Sequence, residues 1–222
     1  MLRLLSYGVA SRLAAVAGLL LLGSTAASAA VIYQVTVDTS AFASESGFLD
    51  LQFNGLAGSD PATAEVSSFS GGTLVGAPTT TGSVSGTLPG PVTFVNDDLQ
   101  TSYLQALLFG SSFQFYLTLD GDAINAPSGS PLSETFFSIS LYNADLTANL
   151  GPADPLLGSA GYVRIAGDGT LDPQAAGPDP IVTFTEVDTI VPEPSTWVLS
   201  SGALLALAVT SRLRARSRSE RP

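Results

Sequence analysis

Over most of the middle of this chain the apolar positions recur at every second residue, the period of a strand that buries one face. Val31, Tyr33, Val35 and Val37 alternate with Ile32, Gln34 and Thr36, and Leu49, Leu51 and Phe53 alternate with Asp50 and Gln52. The clearest case sets Phe113, Phe115, Leu117 and Leu119 against Gln114, Tyr116, Thr118 and Asp120. Shorter runs at 63–69, 83–88, 92–95, 103–109, 135–142, 162–166 and 181–187 have the same character and are separated by Gly, Pro, Asn and Asp. The pattern therefore predicts roughly nine or ten strands joined by turns. Residues 97–109 read two ways: Asp98 is placed to cap a short helix carrying Leu99, Tyr103, Leu104 and Leu107, and a strand over the same apolar residues competes with it. The stretch 170–180, rich in Pro, Gly and Asp, reads as a long surface loop. No internal repeat is present. The expected fold is all-β, an antiparallel β-sandwich of jelly-roll type.

Both ends break this pattern. The first 30 residues carry Arg3 and Arg12, an apolar run from Leu13 to Leu22, and small residues from Gly23 to Ala30. That is the tripartite layout of a secretory signal peptide, with Ala27-Ser28-Ala29 as its small-x-small cleavage pattern. The mature chain is expected to start near Ala30 or Val31, and the Sec translocon and signal peptidase are the expected partners of this segment. A buried amphipathic first helix fits less well, because the run is apolar all round. The other end reads Val191-Pro192-Glu193-Pro194-Ser195-Thr196-Trp197, then an apolar stretch through Leu204, Leu205, Leu207 and Val209, then Arg212, Arg214, Arg216, Arg218 and Arg221. As a helix, Trp197 to Leu213 would be about 25 Å long, against a hydrocarbon core of about 30 Å. Bilayer thinning or snorkelling Arg side chains close that gap. Trp197 suits the outer interface, and the Arg cluster marks the cytoplasmic side. The expected organisation is a signal helix at 1–30, a β-sandwich domain at 31–190, and a tail with a transmembrane helix at 191–222.

Taken in order, the Val191 to Thr196 motif, the apolar span and the Arg-rich end resemble the PEP-CTERM sorting domain of Gram-negative bacteria. The resemblance covers about the last 30 residues. It implies recognition by an exosortase, a membrane cysteine transpeptidase that cleaves near the Pro-Glu-Pro element. An inner-membrane-anchored precursor would then be released to the cell surface or an exopolysaccharide matrix. A plain tail anchor without processing is the competing reading. In the middle, the segments 33–40, 47–54, 69–74, 85–90 and 109–113 resemble the opening of a group of PEP-CTERM proteins with no assigned activity, so this likeness carries no catalytic residues over.

Composition sharpens the picture in two ways. All eight basic residues are Arg, and only Arg164 lies between Val31 and Val191, where it faces 17 acidic residues. So anionic a domain disfavours nucleic acid, whose phosphates need Lys and Arg, and anionic membrane surfaces as well. Cys and His are both absent, which removes disulfides, thiolate chemistry and every His-dependent mechanism.

What chemistry remains would rest on carboxylates or aromatic rings. A glycoside hydrolase would need two acids across a cleft, and nothing in the sequence pairs any two of the 17. Asp38-Thr39-Ser40 has the triplet of aspartic proteases but lacks a matching second copy, and a strand ending in a turn accounts for it. Asp120-Gly121-Asp122 with Asn125, and Asp168-Gly169 with Asp172, are oxygen-rich turns and the chain's weak Ca²⁺ candidates, although their spacing departs from an EF-hand loop. Tyr103, Tyr116, Tyr142 and Tyr162 would stack on sugar rings if they shared a sheet face; core packing is the alternative. The sequence thus points to a non-enzymatic exported protein without a cofactor, structural or adhesive in an exopolysaccharide or biofilm setting. A carbohydrate-binding module is the alternative, and a carboxylate hydrolase stands third.

Overall fold

The computed structural model describes residues 30–187. The cleavage pattern at Ala27 and Ala29, both expected terminal helices, the motif from Val191 to Thr196, the anchor and the Arg cluster all lie outside the described residues. Among the described residues, no helix is long and apolar enough to cross a membrane.

These residues form twelve strands: β1 (Val31–Asp38), β2 (Ser46–Gly55), β3 (Thr63–Ser70), β4 (Thr73–Thr81), β5 (Val84–Gly86), β6 (Val92–Val95), β7 (Ser102–Leu108), β8 (Ser112–Asp120), β9 (Thr135–Asn143), β10 (Gly161–Ile165), β11 (Leu171–Ala175) and β12 (Val182–Val187). Two antiparallel six-stranded sheets result, ordered β12-β1-β8-β3-β6-β5 and β11-β10-β9-β2-β7-β4. The pairing is nested, since β1 lies beside β8, β2 beside β7 and β3 beside β6. Strands distant in sequence therefore close the sheets.

The alternation expected of a half-buried strand is realised residue by residue. Tyr33, Val35 and Val37 of β1, Phe113, Phe115, Leu117 and Leu119 of β8, and Leu49, Leu51 and Phe53 of β2 are all buried. The two sheets stack through aromatic rings. Phe94 of β6 meets Tyr103 of β7 with ring centroids 6.5 Å apart and Phe137 of β9 at 5.9 Å, both edge-on. Phe137 in turn lies 6.4 Å from Phe53. Tyr103 brings a hydroxyl into this core and satisfies it there: it accepts a hydrogen bond from the Leu88 amide (3.0 Å) and donates one to Gln105 Oε1 (3.3 Å). The Gln105 amide donates onward to the Val75 and Ala106 carbonyls, each at 3.0 Å, so the buried polar groups are paired as desolvation demands.

One local expectation changes, one open reading is settled, and one strand appears that the apolar pattern did not select. β4, Thr-Leu-Val-Gly-Ala-Pro-Thr-Thr-Thr, has no apolar alternation, yet it pairs with β7 as the edge of its sheet, with an irregularity between Val75 and Thr79 where Gly76 takes φ 67°. An edge strand that is mostly exposed, touching the core through Leu74, needs no apolar stripe. The stretch 170–180, expected to be a loop, contains β11, also an edge strand, where Pro173 is tolerated because its side facing away from β10 needs no donor. The ambiguous segment 97–109 resolves as strand β7 preceded by a turn; Leu99, a core residue of the competing helix, is 71% exposed. Among the described residues, helix is limited to one 3-10 turn, Ser40–Phe42, and one α turn, Asp122–Asn125.

Candidate functional site

Because Leu49, Leu51 and Phe53 point into the core, Phe48, Asp50, Gln52 and Asn54 of β2 point to the outer face of the second sheet. By the same alternation Phe136, Ser138, Ser140 and Tyr142 of β9 share that face, together with Tyr162 and Arg164 of β10. The register sets Phe48 opposite Tyr142, Asp50 opposite Ser140, Gln52 opposite Ser138 and Asn54 opposite Phe136, with Tyr162 beside Ser138. A polar seam thus runs between two aromatic pairs.

This seam is dry for an outer face. Asp50 is 7% exposed, Ser138 9% and Ser140 3%. A row of amides lines it: Gln52 Nε2 donates to Asp50 Oδ2 at 2.6 Å, Asn54 Nδ2 to Gln52 Oε1 at 2.9 Å, and the Thr101 amide to Asn54 Oδ1 at 2.8 Å. Ser140 donates to the Gly158 carbonyl at 3.4 Å. At one end of the seam the rings of Phe136 and Tyr162 stand edge to face, centroids 6.1 Å apart. Burial, and then the nearby carboxylates of Asp154 and Asp172, push the Tyr162 phenol up.

Burial also pushes the Asp50 carboxyl up, and the Gln52 hydrogen bond only partly opposes this. A carboxyl whose folded-state pKa is raised helps folding below its ordinary value and loses that contribution as pH rises through the folded value. Ionised Asp50 therefore opposes folding at neutral pH. Asp50→Asn keeps an oxygen for Gln52 and removes the buried charge. It is expected to raise the thermal midpoint at pH 7, with the gain vanishing below the ordinary carboxyl value of 3.8. Melting curves across that range would refute this if the variant gained most at the acid end.

The remaining residues singled out in the sequence fall elsewhere. Tyr103 belongs to the core and Tyr116 is 39% exposed on β8 of the first sheet, so the four tyrosines do not share a face; only Tyr142 and Tyr162 do. Asp120 Oδ1 accepts from the Gly121 amide (2.7 Å) and Asn125 Nδ2 (2.8 Å), and Asp122 opens the α turn. Asp168 Oδ1 accepts from the Thr170 amide at 3.0 Å, which holds its carboxyl below the usual range. Asp172 and Glu134 flank Arg164 at 3.3 and 3.2 Å; such partly exposed pairs are worth about 0–1 kcal/mol. Asp38 Oδ1 accepts from the Ser40 amide at 2.9 Å, closing the turn after β1. Among the described residues no three acidic side chains converge where a metal could sit. An open cleft of about 230 Å³ beside Leu56, Asn96, Asp97 and Asp98 is lined by residues of the connections after β2 and β6. Polar residues at every second position of β2 were legible as one face; their burial was not, because it depends on the flanking strands β7 and β9, which lie far away in sequence. Comparison with protein-family models, with curated proteins and with solved structures finds no match to this chain.

Proposed function

We propose that this chain is an exported, non-enzymatic surface or matrix protein, sorted through its PEP-CTERM-like tail and structural or adhesive in an exopolysaccharide setting. The observation that carries the reading is the use of the acidic side chains of the β body. Asp38, Asp120 and Asp168 hold turns, while Glu134 and Asp172 hold Arg164. Carboxylates spent in this way keep a β protein soluble and block unwanted edge pairing, as a body exposed to crowded surroundings requires. The nested strand pairing supports a jelly-roll reading of the sandwich, with β9 to β12 as additions at the edges next to β2 and β1.

The test is the intact mass of the protein recovered from a Gram-negative host that carries an exosortase. The product is expected in the surface or extracellular fraction, starting at Ala30 or Val31 and ending near Pro192 to Pro194. Replacing Pro192 and Pro194 with Ala is expected to leave the tail attached and the protein in the membrane fraction. Recovery of the uncut chain from the cytoplasm would overturn the proposal.

A further inference from the structure

A strand on a one-sided sheet presents its outward residues to water, but the seam between β2 and β9 does not. Three outward polar side chains, Asp50, Ser138 and Ser140, are more than nine-tenths buried there. Among the described residues nothing donates to Asp50 Oδ1 and nothing pairs with the Ser138 hydroxyl, whereas Asp50 Oδ2 is held by Gln52. Neither atom is enclosed, since among the described residues only Ser159 Oγ is a fully buried side-chain polar atom without a partner, so these two positions, diagonal to one another across the seam, reach the surface and are open to hydrogen bonds from outside the chain. The seam ends in rings on both sides, Phe48 with Tyr142 and Phe136 with Tyr162. Tyr142 lies six residue steps along the strand from Phe136, a span of about 20 Å.

We propose that this face binds a neutral polysaccharide chain laid along the β2–β9 seam, its hydroxyl groups on Asp50, Gln52 and Ser138 and its ring faces against Tyr142 and Phe136. A sugar hydroxyl donates to the open oxygen of Asp50, a charge-assisted bond, and another accepts from or donates to Ser138. Aromatic walls with a few convergent polar groups suit a ligand that is apolar on its faces and polar at its edges. An anionic polymer is opposed by Asp50 at the floor and finds no free cation, since Arg164 is already held by Glu134 and Asp172. A metal cation is a poorer fit, because Asp50 is the seam's only carboxylate and hard cations need several oxygen ligands.

The proposal rests on the adhesive reading for its biological setting and names that reading's ligand class. Native gel electrophoresis of the full chain in mild detergent, through gels containing hydroxyethylcellulose, galactomannan or alginate, tests it directly. Retardation is expected by at least one of the two neutral polymers and not by alginate. Joint replacement of Tyr142 and Phe136 by Ala is expected to weaken it about tenfold, and Tyr116→Ala, on the other sheet, to leave it unchanged. Should the aromatic double variant lose its cooperative melting transition, Ser138→Ala, a minimal change, is expected to weaken retardation measurably. Passage through both neutral gels without retardation, retardation by alginate alone, or equal weakening by Tyr116→Ala overturns the proposal. A chain that binds a neutral polymer but stays uncut in the cytoplasm would keep this inference and remove the export reading.

Discussion

Phe94→Ala is expected to lower the unfolding free energy by about 3–5 kcal/mol, the cost typical of deleting a fully buried aromatic side chain. Phe94 is 0% exposed, comes from β6 of one sheet, and reaches Tyr103 and Phe137 of the other. Its loss removes transfer energy and opens a cavity between two sheets that cannot close without shifting their ladders. It also removes two edge-on ring contacts worth about 0.5–1.5 kcal/mol each. Against a total stability of about 5–15 kcal/mol for a domain, such a loss brings the chain close to unfolding at ambient temperature. Urea denaturation measures the effect, with Phe136→Ala as the control, since Phe136 points outward and is only half-buried. Equal losses for the two variants would contradict packing of the sheets through Phe94.

Asn96→Ala ranks second, at about 2–4 kcal/mol, because three groups lose their partner in one substitution and an unpaired buried group costs about 1–3 kcal/mol. Asn96 Oδ1 accepts from the Ala62 amide at 2.8 Å, while Nδ2 donates to the Asp60 carbonyl at 2.9 Å and to Thr135 Oγ1 at 2.8 Å. Ala62 and Thr135 are each 1% exposed, so water cannot readily replace the amide. Asn96 sits just beyond β6 of the first sheet and Thr135 opens β9 of the second, which makes this side chain a clasp between the sheets. Asn96→Asp keeps the acceptor for Ala62 and loses the donor to Asp60, so its urea midpoint is expected between those of the parent and the Ala variant. A midpoint for Asn96→Ala indistinguishable from the parent would refute the role of this clasp.

Strands that bury one face announced themselves in the sequence. The period-two pattern of β1, β2 and β8 is a direct imprint of a core on one side and water on the other, and the structure buries the residues that pattern selects. Of the four edge strands, β5 and β12 were read from the runs at 83–88 and 181–187, but β4 and β11 left no such imprint. β4 and β11 are formed by the ladder of β7 and β10 rather than by apolar residues of their own, and Pro173 and Gly76 read locally as loop signals. Strand order was not legible either, because nothing in Val31–Asp38 specifies that its partners are β8 and β12. The candidate site was half legible. Asp50, Gln52 and Asn54 were visibly the outward set of β2, but the buried serines that complete the seam come from β9, and only the register brings them alongside. The tyrosines failed as a group for the same reason: the phenol of Tyr103 reads as a polar tip on paper and turns out to be paired in the core.

The nested pairing also governs the order of events when the chain is made. Val37 lies opposite Val182, and the same first strand lies opposite Phe113 on its other side. An incomplete chain emerging from its N-terminal end therefore has no neighbour for its opening strand until most of the domain has been synthesised. Folds dominated by such distant partners mature in milliseconds to seconds rather than microseconds. A polypeptide of this design stays loose and threadable while it is being made, and acquires its final shape only once its closing strand arrives.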